Sequence, residues 1–193
     1  MTGSGNTLSA IAIAAGVILA VGGCGIGDDR SPIATGSSNP ANSASPSLAA
    51  DVPRGFDPCT GIPADVFASE NLKAKGRDDT DAPGGIMWRG CGWVTRGGNG
   101  YAVSITTTNI TLDQVQAKHF ADAEEFHLAG RRAISSRQDL AESGCIVSVE
   151  MNSGSLDFLV DNPKSSPDTG QTAPCQIARK LAEKVVPSVP AGA

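Results

Sequence analysis

Residues 145–160 read CIVSVEMNSGSLDFLV, and this stretch decides the fold class. Apolar residues recur at every second position on both sides of a central Asn152-Ser153-Gly154 segment. This spacing is typical of β-strands that bury one face, and the central segment is typical of a turn. The alternating apolar positions are Cys145, Val147, Val149 and Met151 in the first run and Leu156, Phe158 and Val160 in the second. The stretch therefore predicts an antiparallel hairpin with one buried face.

The segment that follows predicts a helix that covers this hairpin. Between residues 174 and 186 apolar side chains recur with helical spacing, and Pro187 ends the pattern. The apolar stripe consists of Cys175, Ala178, Leu181, Ala182 and Val185. A helix with such a stripe buries it against the apolar face of the sheet.

A second pair of strands is predicted towards the N-terminus. Residues 87–95 and 101–108 flank Gly97-Gly98-Asn99-Gly100, which is a strong hairpin signal. The remaining segments are a short helix at 64–69, a loop at 76–85, and a helix that opens at a Thr111–Gln114 capping box and runs to about Ala123. Together these elements predict an α+β fold, in which an antiparallel sheet carries its helices on one face.

Four of the five cysteines lie in this domain, and we expect them to form two disulfides. An even number of cysteines in a secreted chain favours disulfides, and no close C-x-x-C pair points to zinc. The four are Cys59, Cys91, Cys145 and Cys175. Three pairings are possible from the sequence.

The predicted elements favour one of these pairings, Cys59–Cys91 with Cys145–Cys175. Cys145 begins a strand on its inward face, and Cys175 lies in the first turn of the helix that covers that face. Cys59 precedes a short helix, and Cys91 shares a strand face with Trp93. Each predicted bridge therefore joins a helix to a strand of the same half of the chain.

The N-terminal segment predicts secretion and lipidation. Residues 8–21 are an apolar run without charged residues, so residues 1–23 read as a signal peptide, although the usual Lys or Arg before the run is absent. Val21-Gly22-Gly23-Cys24 resembles a bacterial lipobox, which makes Cys24 the predicted lipid acceptor. Residues 24–55 are rich in Gly, Ser, Pro and Asn and predict a flexible linker. The folded domain is expected to span residues 56–190.

The order of these motifs resembles a known family. The matching segments are Asp57-Pro58-Cys59, Cys91-Gly92-Trp93, Cys145-Ile146-Val147-Ser148-Val149 and Cys175-x-x-Ala178-x-x-Leu181-Ala182, all behind a lipobox. They are similar to the actinobacterial cell-envelope lipoproteins of the LprB and LprC type, whose function is unknown. The resemblance implies lipidation on Cys24 and places the four domain cysteines at the family's cysteine positions. It supplies no catalytic residue.

Few residues suggest chemistry. The net charge of −5 argues against nucleic-acid binding, which relies on basic contacts to phosphate. We find no nucleophile elbow, P-loop or dinucleotide-binding motif. His119 and His127 match no metal-ligand spacing, and the acidic run at 77–81 is more typical of a solvated loop than of a cation site. We therefore predict no catalytic, cofactor-binding or metal-binding residue.

Two functions remain open at this point. The first is a non-enzymatic module on the outer face of the plasma membrane, anchored by lipid on Cys24, that binds a small molecule, a lipid or a protein. The alternative is an envelope hydrolase whose active-site residues come from separate loops. An apolar cavity would favour binding, whereas a cleft that joins a histidine to carboxylates would favour catalysis.

Overall fold

The structure is a computed structural model, and it describes residues 47–138 and 140–193. The strands in this part of the chain are β1 (Leu72–Arg77), β2 (Thr80–Ala82), β3 (Ile86–Thr95), β4 (Ala102–Thr108), β5 (Glu124–Leu128), β6 (Arg131–Ser136), β7 (Gly144–Met151) and β8 (Gly154–Asp161). The helices are α1 (Pro58–Gly61), α2 (Ala64–Ser69), α3 (Leu112–Gln116) and α4 (Pro174–Val185).

The strands form one antiparallel sheet in the order β1-β3-β4-β8-β7-β6-β5. β2 pairs with β3 on the same side as β1, so β1 and β2 together make one edge. The predicted hairpin of residues 145–160 is β7–β8, with Val147 opposite Phe158. The α+β class and the antiparallel sheet are confirmed.

The core lies between one face of the sheet and α4. The central strands contribute Ile105, Val147 and Phe158, all fully buried. Helix α4 buries Ile177, Ala178, Leu181, Ala182 and Val185. Helix α2 lies on the same face, where Phe67 stacks on Trp93 with ring centroids 4.5 Å apart. The predicted disulfides Cys59–Cys91 and Cys145–Cys175 are confirmed and tie α1 and α4 to this face.

The short helix α3 packs elsewhere. Leu112 and Val115 contact Ile134, whose neighbour Ala133 belongs to the main core. Because side chains alternate along a strand, α3 covers part of the opposite face of the sheet. None of the helices in residues 47–138 and 140–193 is long and apolar enough to cross a membrane.

The predicted helix from Thr111 to Ala123 is too long. Its capping box is present, because the Thr111 side chain accepts from Gln114 N and the Gln114 side chain accepts from Thr111 N. The helix nevertheless ends at Gln116, and His119 adopts a φ of 52°. This left-handed conformation stops a helix.

Four strands lie where no strand was predicted. The expected loop at 76–85 contains the end of β1 and all of β2, and residues 124–136 form the β5–β6 hairpin. The turn of that hairpin is Ala129-Gly130, with φ of 46° and 83°. Two positive φ values are the signature of a tight hairpin turn, but alanine is rare at such a position and gives no signal in the sequence.

The start of the described chain already contacts the domain. Asn109 Nδ2 donates to Ala49 O at 3.0 Å, inside the segment expected to be a linker. The same amide donates to Gly85 O at 2.8 Å, and Asn109 Oδ1 accepts from Met87 N at 2.9 Å. Asn109 therefore holds the incoming chain against the start of β3. The predicted signal peptide, Cys24 and the linker up to residue 46 lie outside the described residues.

Candidate functional site

The face of the sheet opposite α4, here called the open face, carries polar side chains at its centre. Thr106 on β4, Asp157 on β8 and Ser148 on β7 are direct cross-strand neighbours. Gly90 on β3 is the partner of Thr106. Each of the three polar side chains is at least nine-tenths buried, although α4 covers the other face. A polar row of this kind in the middle of a sheet is unusual and marks a candidate site.

A pocket of about 230 Å³ lies over Thr106 and Asp157 of this row. We call it the trough, and its lining residues are Asp78, Thr80, Trp88, Ser104, Thr106, Ile146, Asp157 and Leu159. Its walls are largely apolar, with Trp88 at one end and Ile146 and Leu159 on the side of β7 and β8. Leu159 is one of the few large apolar side chains exposed in the described residues, at 37%. An apolar pocket with a few polar groups is the usual form of a small-molecule site.

Two glycines of β3 create space beside the trough. A Cβ on Gly90 would lie 2.1 Å from Ile105 O, so the close approach of β4 requires glycine there. A Cβ on Gly92 would make only ordinary contacts, the nearest 3.7 Å away at Asp78 Oδ2. Since neither glycine projects a side chain, the open face is hollow between β1 and β4.

Asp157 is the most unusual group in the trough. Its carboxylate is 7% exposed and accepts a hydrogen bond from Ser155 Oγ at 2.9 Å. Burial raises the pKa of Asp157 to about 6. The polar groups of Ser148, Ser155 and Trp88 act in the opposite direction and lower this pKa, but their effect is smaller. The Ser148 hydroxyl is fully buried beside it and has no hydrogen-bond partner among the described residues. Asp157 is therefore an ionisable group held in a poorly solvated place.

A second carboxylate enters the trough from the sheet edge. Asp78 N donates to Gly90 O at 2.9 Å, which fixes the backbone, and the Asp78 carboxylate accepts a short hydrogen bond from Ser104 Oγ. The neighbouring Asp79 is already engaged, because it pairs with Arg77 at 2.9 Å and accepts from Gly90 N at 3.0 Å. The acidic run expected to be a solvated loop thus spans the end of β1, the connection at Asp78 and Asp79 and the start of β2, with Asp78 in the trough.

The trough continues into a second pocket of about 190 Å³ along β3. Asp78, Ser104 and Leu159 line both pockets. The extension adds Lys75 on β1 and Asp161 at the end of β8. The open face therefore presents a continuous depression, closed by Trp88 at one end and charged at the other.

A separate, wider cleft contains His119. Its lining includes His119 with Asp113 and Glu125, the kind of grouping that would favour catalysis. Both carboxylates are committed elsewhere, since Asp113 pairs with Arg132 at 2.9 Å and Glu125 accepts from Gln116 Nε2 at 2.6 Å. His119 is exposed and its side chain makes no hydrogen bond to either carboxylate in the described residues. The cleft thus lacks a histidine oriented by an acid.

The residues singled out in the sequence lie in different places. Cys59, Cys91, Cys145 and Cys175 form the two disulfides on the core face, and Trp93 stacks on Phe67 there. His127 is an exposed residue of β5. No group of three or more His, Cys, Asp or Glu side chains within residues 47–138 and 140–193 is placed to hold a metal ion.

Sequence reasoning missed the trough. One signal was present, because Asp157 lies between Leu156 and Phe158 in a strand, where aspartate is disfavoured. The residues that surround it come from β3, β4 and β7, so only the strand register brings them together.

The lining of the trough limits the chemistry available there. Carboxylates, hydroxyls and one indole line it, and its lining residues include no histidine, lysine, arginine or cysteine. A nucleophilic hydroxyl needs an adjacent base of suitable pKa and a group that orients the base. The hydroxyl of Ser104 donates to Asp78 without any such third group in the trough. The geometry supports recognition better than group transfer.

Comparison with known proteins adds a family. A family model described as a protein of unknown function (DUF3558) matches residues 19–188. No curated protein matches the chain, and no solved structure does.

Proposed function

The chain belongs to this family of unknown function, and we propose that it is a lipid-anchored protein of the cell envelope that binds a small molecule in the trough. The observation that carries the binding function is the pocket over Thr106 and Asp157, on the sheet face opposite α4. Of the two functions that the sequence leaves open, the non-enzymatic binding module is the one that this geometry supports.

The lipid anchor rests on the sequence. The chain has five cysteines, and four of them form the two disulfides, which leaves Cys24 as the remaining thiol. Cys24 follows Val21-Gly22-Gly23 and an apolar run at 8–21, as in a lipidated precursor. Two or more acyl chains would anchor the protein stably, whereas a single chain gives only reversible binding. The short motifs quoted above support the finer assignment to actinobacterial lipoproteins of the LprB and LprC type.

The point at which the chain enters the domain fits a tethered receptor. Asn109, which holds Ala49, directly follows Thr108, and Thr108 pairs with Trp88 at the end of the trough. Ala49 itself does not line the trough. We therefore expect the tether to hold the domain at the membrane without blocking the trough.

The trough is small for a ligand site. Its volume of about 230 Å³ is below the ~300–1,000 Å³ typical of pockets for drug-sized ligands. It therefore suits a small ligand, or one end of a longer ligand whose remainder lies in the extension between Lys75 and Asp161.

Native mass spectrometry of the full chain, purified from its own membranes, tests this proposal. The wild-type protein should carry a small molecule that Gly92→Leu loses, because a side chain at Gly92 occupies the space beside Asp78. Gly192→Leu is the matched control, since a Cβ at Gly192 meets nothing within 4 Å. Retention of the same molecule by Gly92→Leu, with both variants folded, would place the ligand elsewhere and overturn the assignment of the trough.

A further inference from the structure

Resting on the proposed ligand site, we infer that the trough recognises a small organic cation, an ammonium group carried on a short carbon body. The carboxylate of Asp157 in the floor and that of Asp78 at the edge receive the charge, and the wall of Trp88, Ile146 and Leu159 receives the carbon atoms. Two features of the structure lead to this ligand class.

The first feature is unbalanced negative charge. Asp157 contacts only neutral donors, and Asp78 contacts the hydroxyl of Ser104. Neither carboxylate forms an ion pair with a Lys, Arg or His of the described residues. Two acidic residues next to Asp78 are paired, since Asp79 binds Arg77 and Asp81 binds Arg89. A buried charge without a counter-ion is costly, and a bound cation would relieve that cost.

The second feature is the aromatic wall. Trp88 lines the trough beside Asp157, and its polar group is close enough to influence that carboxylate. An indole face attracts ammonium groups, and tryptophan is the most effective aromatic residue for this contact. Ile146 and Leu159 complete an apolar surface that fits carbon atoms.

An NMR titration of the full chain in a non-ionic detergent tests the ligand class. The probes are n-butylamine, n-butanol and butyrate, which share a carbon body and differ in charge. The reporter is the indole N–H signal of Trp88, assigned with a Trp93→Phe variant. Butylammonium should shift this signal saturably, at a concentration at least tenfold below that required by butanol or butyrate. Equal effects of the three probes, or no saturable shift with butylamine, would overturn the inference.

Two variants at one exposed position provide a matched comparison. Leu159→Lys places an ammonium group on the wall of the trough, where it can pair with the carboxylates and exclude the probe. Leu159→Gln changes the polarity of the same position without adding charge. Leu159→Lys should weaken butylamine binding at least tenfold, and Leu159→Gln should weaken it less than threefold. Equal weakening by both variants would show that the charge is irrelevant.

The inference about the ligand class and the assignment of the binding site can be disproved separately. If butanol shifts the Trp88 signal as strongly as butylamine, and Gly92→Leu abolishes both effects, the trough is a ligand site and the cation inference is wrong. If the molecule that co-purifies with the wild type remains bound to Gly92→Leu, the site itself is wrong, whatever the probes do.

Discussion

Cys145 in β7 and Cys175 in the first turn of α4 are joined by a disulfide, with their Cα atoms 5.1 Å apart. The bridge holds the N-terminal end of α4 on the central strands, where Val147 and Phe158 form the core. Further along the helix, Ala178 and Leu181 continue the same contact. One covalent bond therefore fixes the helix that covers the core face over β7 and β8.

Removing this bridge should lower stability strongly. The double variant Cys145→Ala, Cys175→Ala releases a loop of 30 residues, and loop entropy predicts a loss of about 3–4 kcal/mol in the free energy of unfolding. Urea denaturation measures the loss. Non-reducing peptide mapping is the control, because Cys59–Cys91 should still form. A loss below 1 kcal/mol would show that packing alone holds α4.

The two glycines of β3 should respond differently to the same substitution. Gly90→Ala places a Cβ 2.1 Å from Ile105 O, so β3 and β4 have to separate. We expect a loss of about 1–3 kcal/mol, as for other overpacked positions. Gly92→Ala meets nothing closer than 3.7 Å and serves as the matched variant, with a change below about 0.5 kcal/mol. Thermal denaturation of both variants measures these changes. Equal losses of stability in the two variants would contradict the difference in space at Gly90 and Gly92.

Asp157 should make stability depend on pH. Its pKa is about 6 in the folded chain against 3.8 ordinarily, so the folded state binds the proton more tightly. The protonated carboxyl stabilises the folded state fully below about pH 4. As the pH rises towards 6, this contribution is lost and the free energy of unfolding falls by about 3 kcal/mol. Asp157→Asn removes this dependence. The unfolding free energy of the variant relative to wild type should therefore increase between pH 4 and pH 7, and a constant difference would contradict the burial of the charge.

Glu70 links α2 to α4 through a cluster of charges. Its side chain is 9% exposed and pairs with Lys180 at 3.1 Å and with Lys184. Burial raises the pKa of Glu70, but hydrogen bonds from Lys184 and Lys180 outweigh it, so the pKa lies below its usual value. The resulting stabilisation is present above the ordinary glutamate pKa and is lost as the pH falls through the lowered one.

The Glu70→Gln variant measures this contribution. We expect a loss of about 1–2 kcal/mol at pH 7, typical of charge-assisted hydrogen bonds, that diminishes in acid. Glu183→Gln on the exposed face of α4 is the control and should change stability little. Urea denaturation at pH 7 and pH 3.5 tests this, and a loss that is the same at both values would argue against the ion pairs.

Cys24 is the predicted lipid acceptor. Cys24→Ala should abolish incorporation of labelled palmitate and leave a precursor that retains its signal segment, because lipidation precedes cleavage at a lipobox. Mass spectrometry of the N-terminal peptide provides the measurement. Cys24→Ser is a closer control in size, and it should fail equally, since the thiol is required. An unmodified wild-type N-terminus at another residue would refute the anchor.

Local patterns in the sequence determined much of the fold. The period-two runs of residues 145–160 predict β7 and β8, and the apolar stripe of residues 174–186 predicts α4. The disulfide pairing could also be predicted from the sequence, because the face on which a residue lies depends only on its position within its own strand or helix. The β5–β6 hairpin did not follow, because its turn places alanine at a positive φ that alanine seldom adopts.

The trough was decided by tertiary structure alone. Asp157 is 51 residues from Thr106 and 69 from Trp88 by their numbers, and the sequence contains no pattern that relates them. The register of β4 with β8 sets Thr106 opposite Asp157, and that of β3 with β4 brings Trp88 and Gly90 alongside. A sequence specifies which side chains share a strand face, because that depends on local periodicity. The turns also predict the hairpin partners β3–β4 and β7–β8. The pairing of β4 with β8 joins two distant segments and forms only in the folded sheet, and the pocket exists only after that pairing.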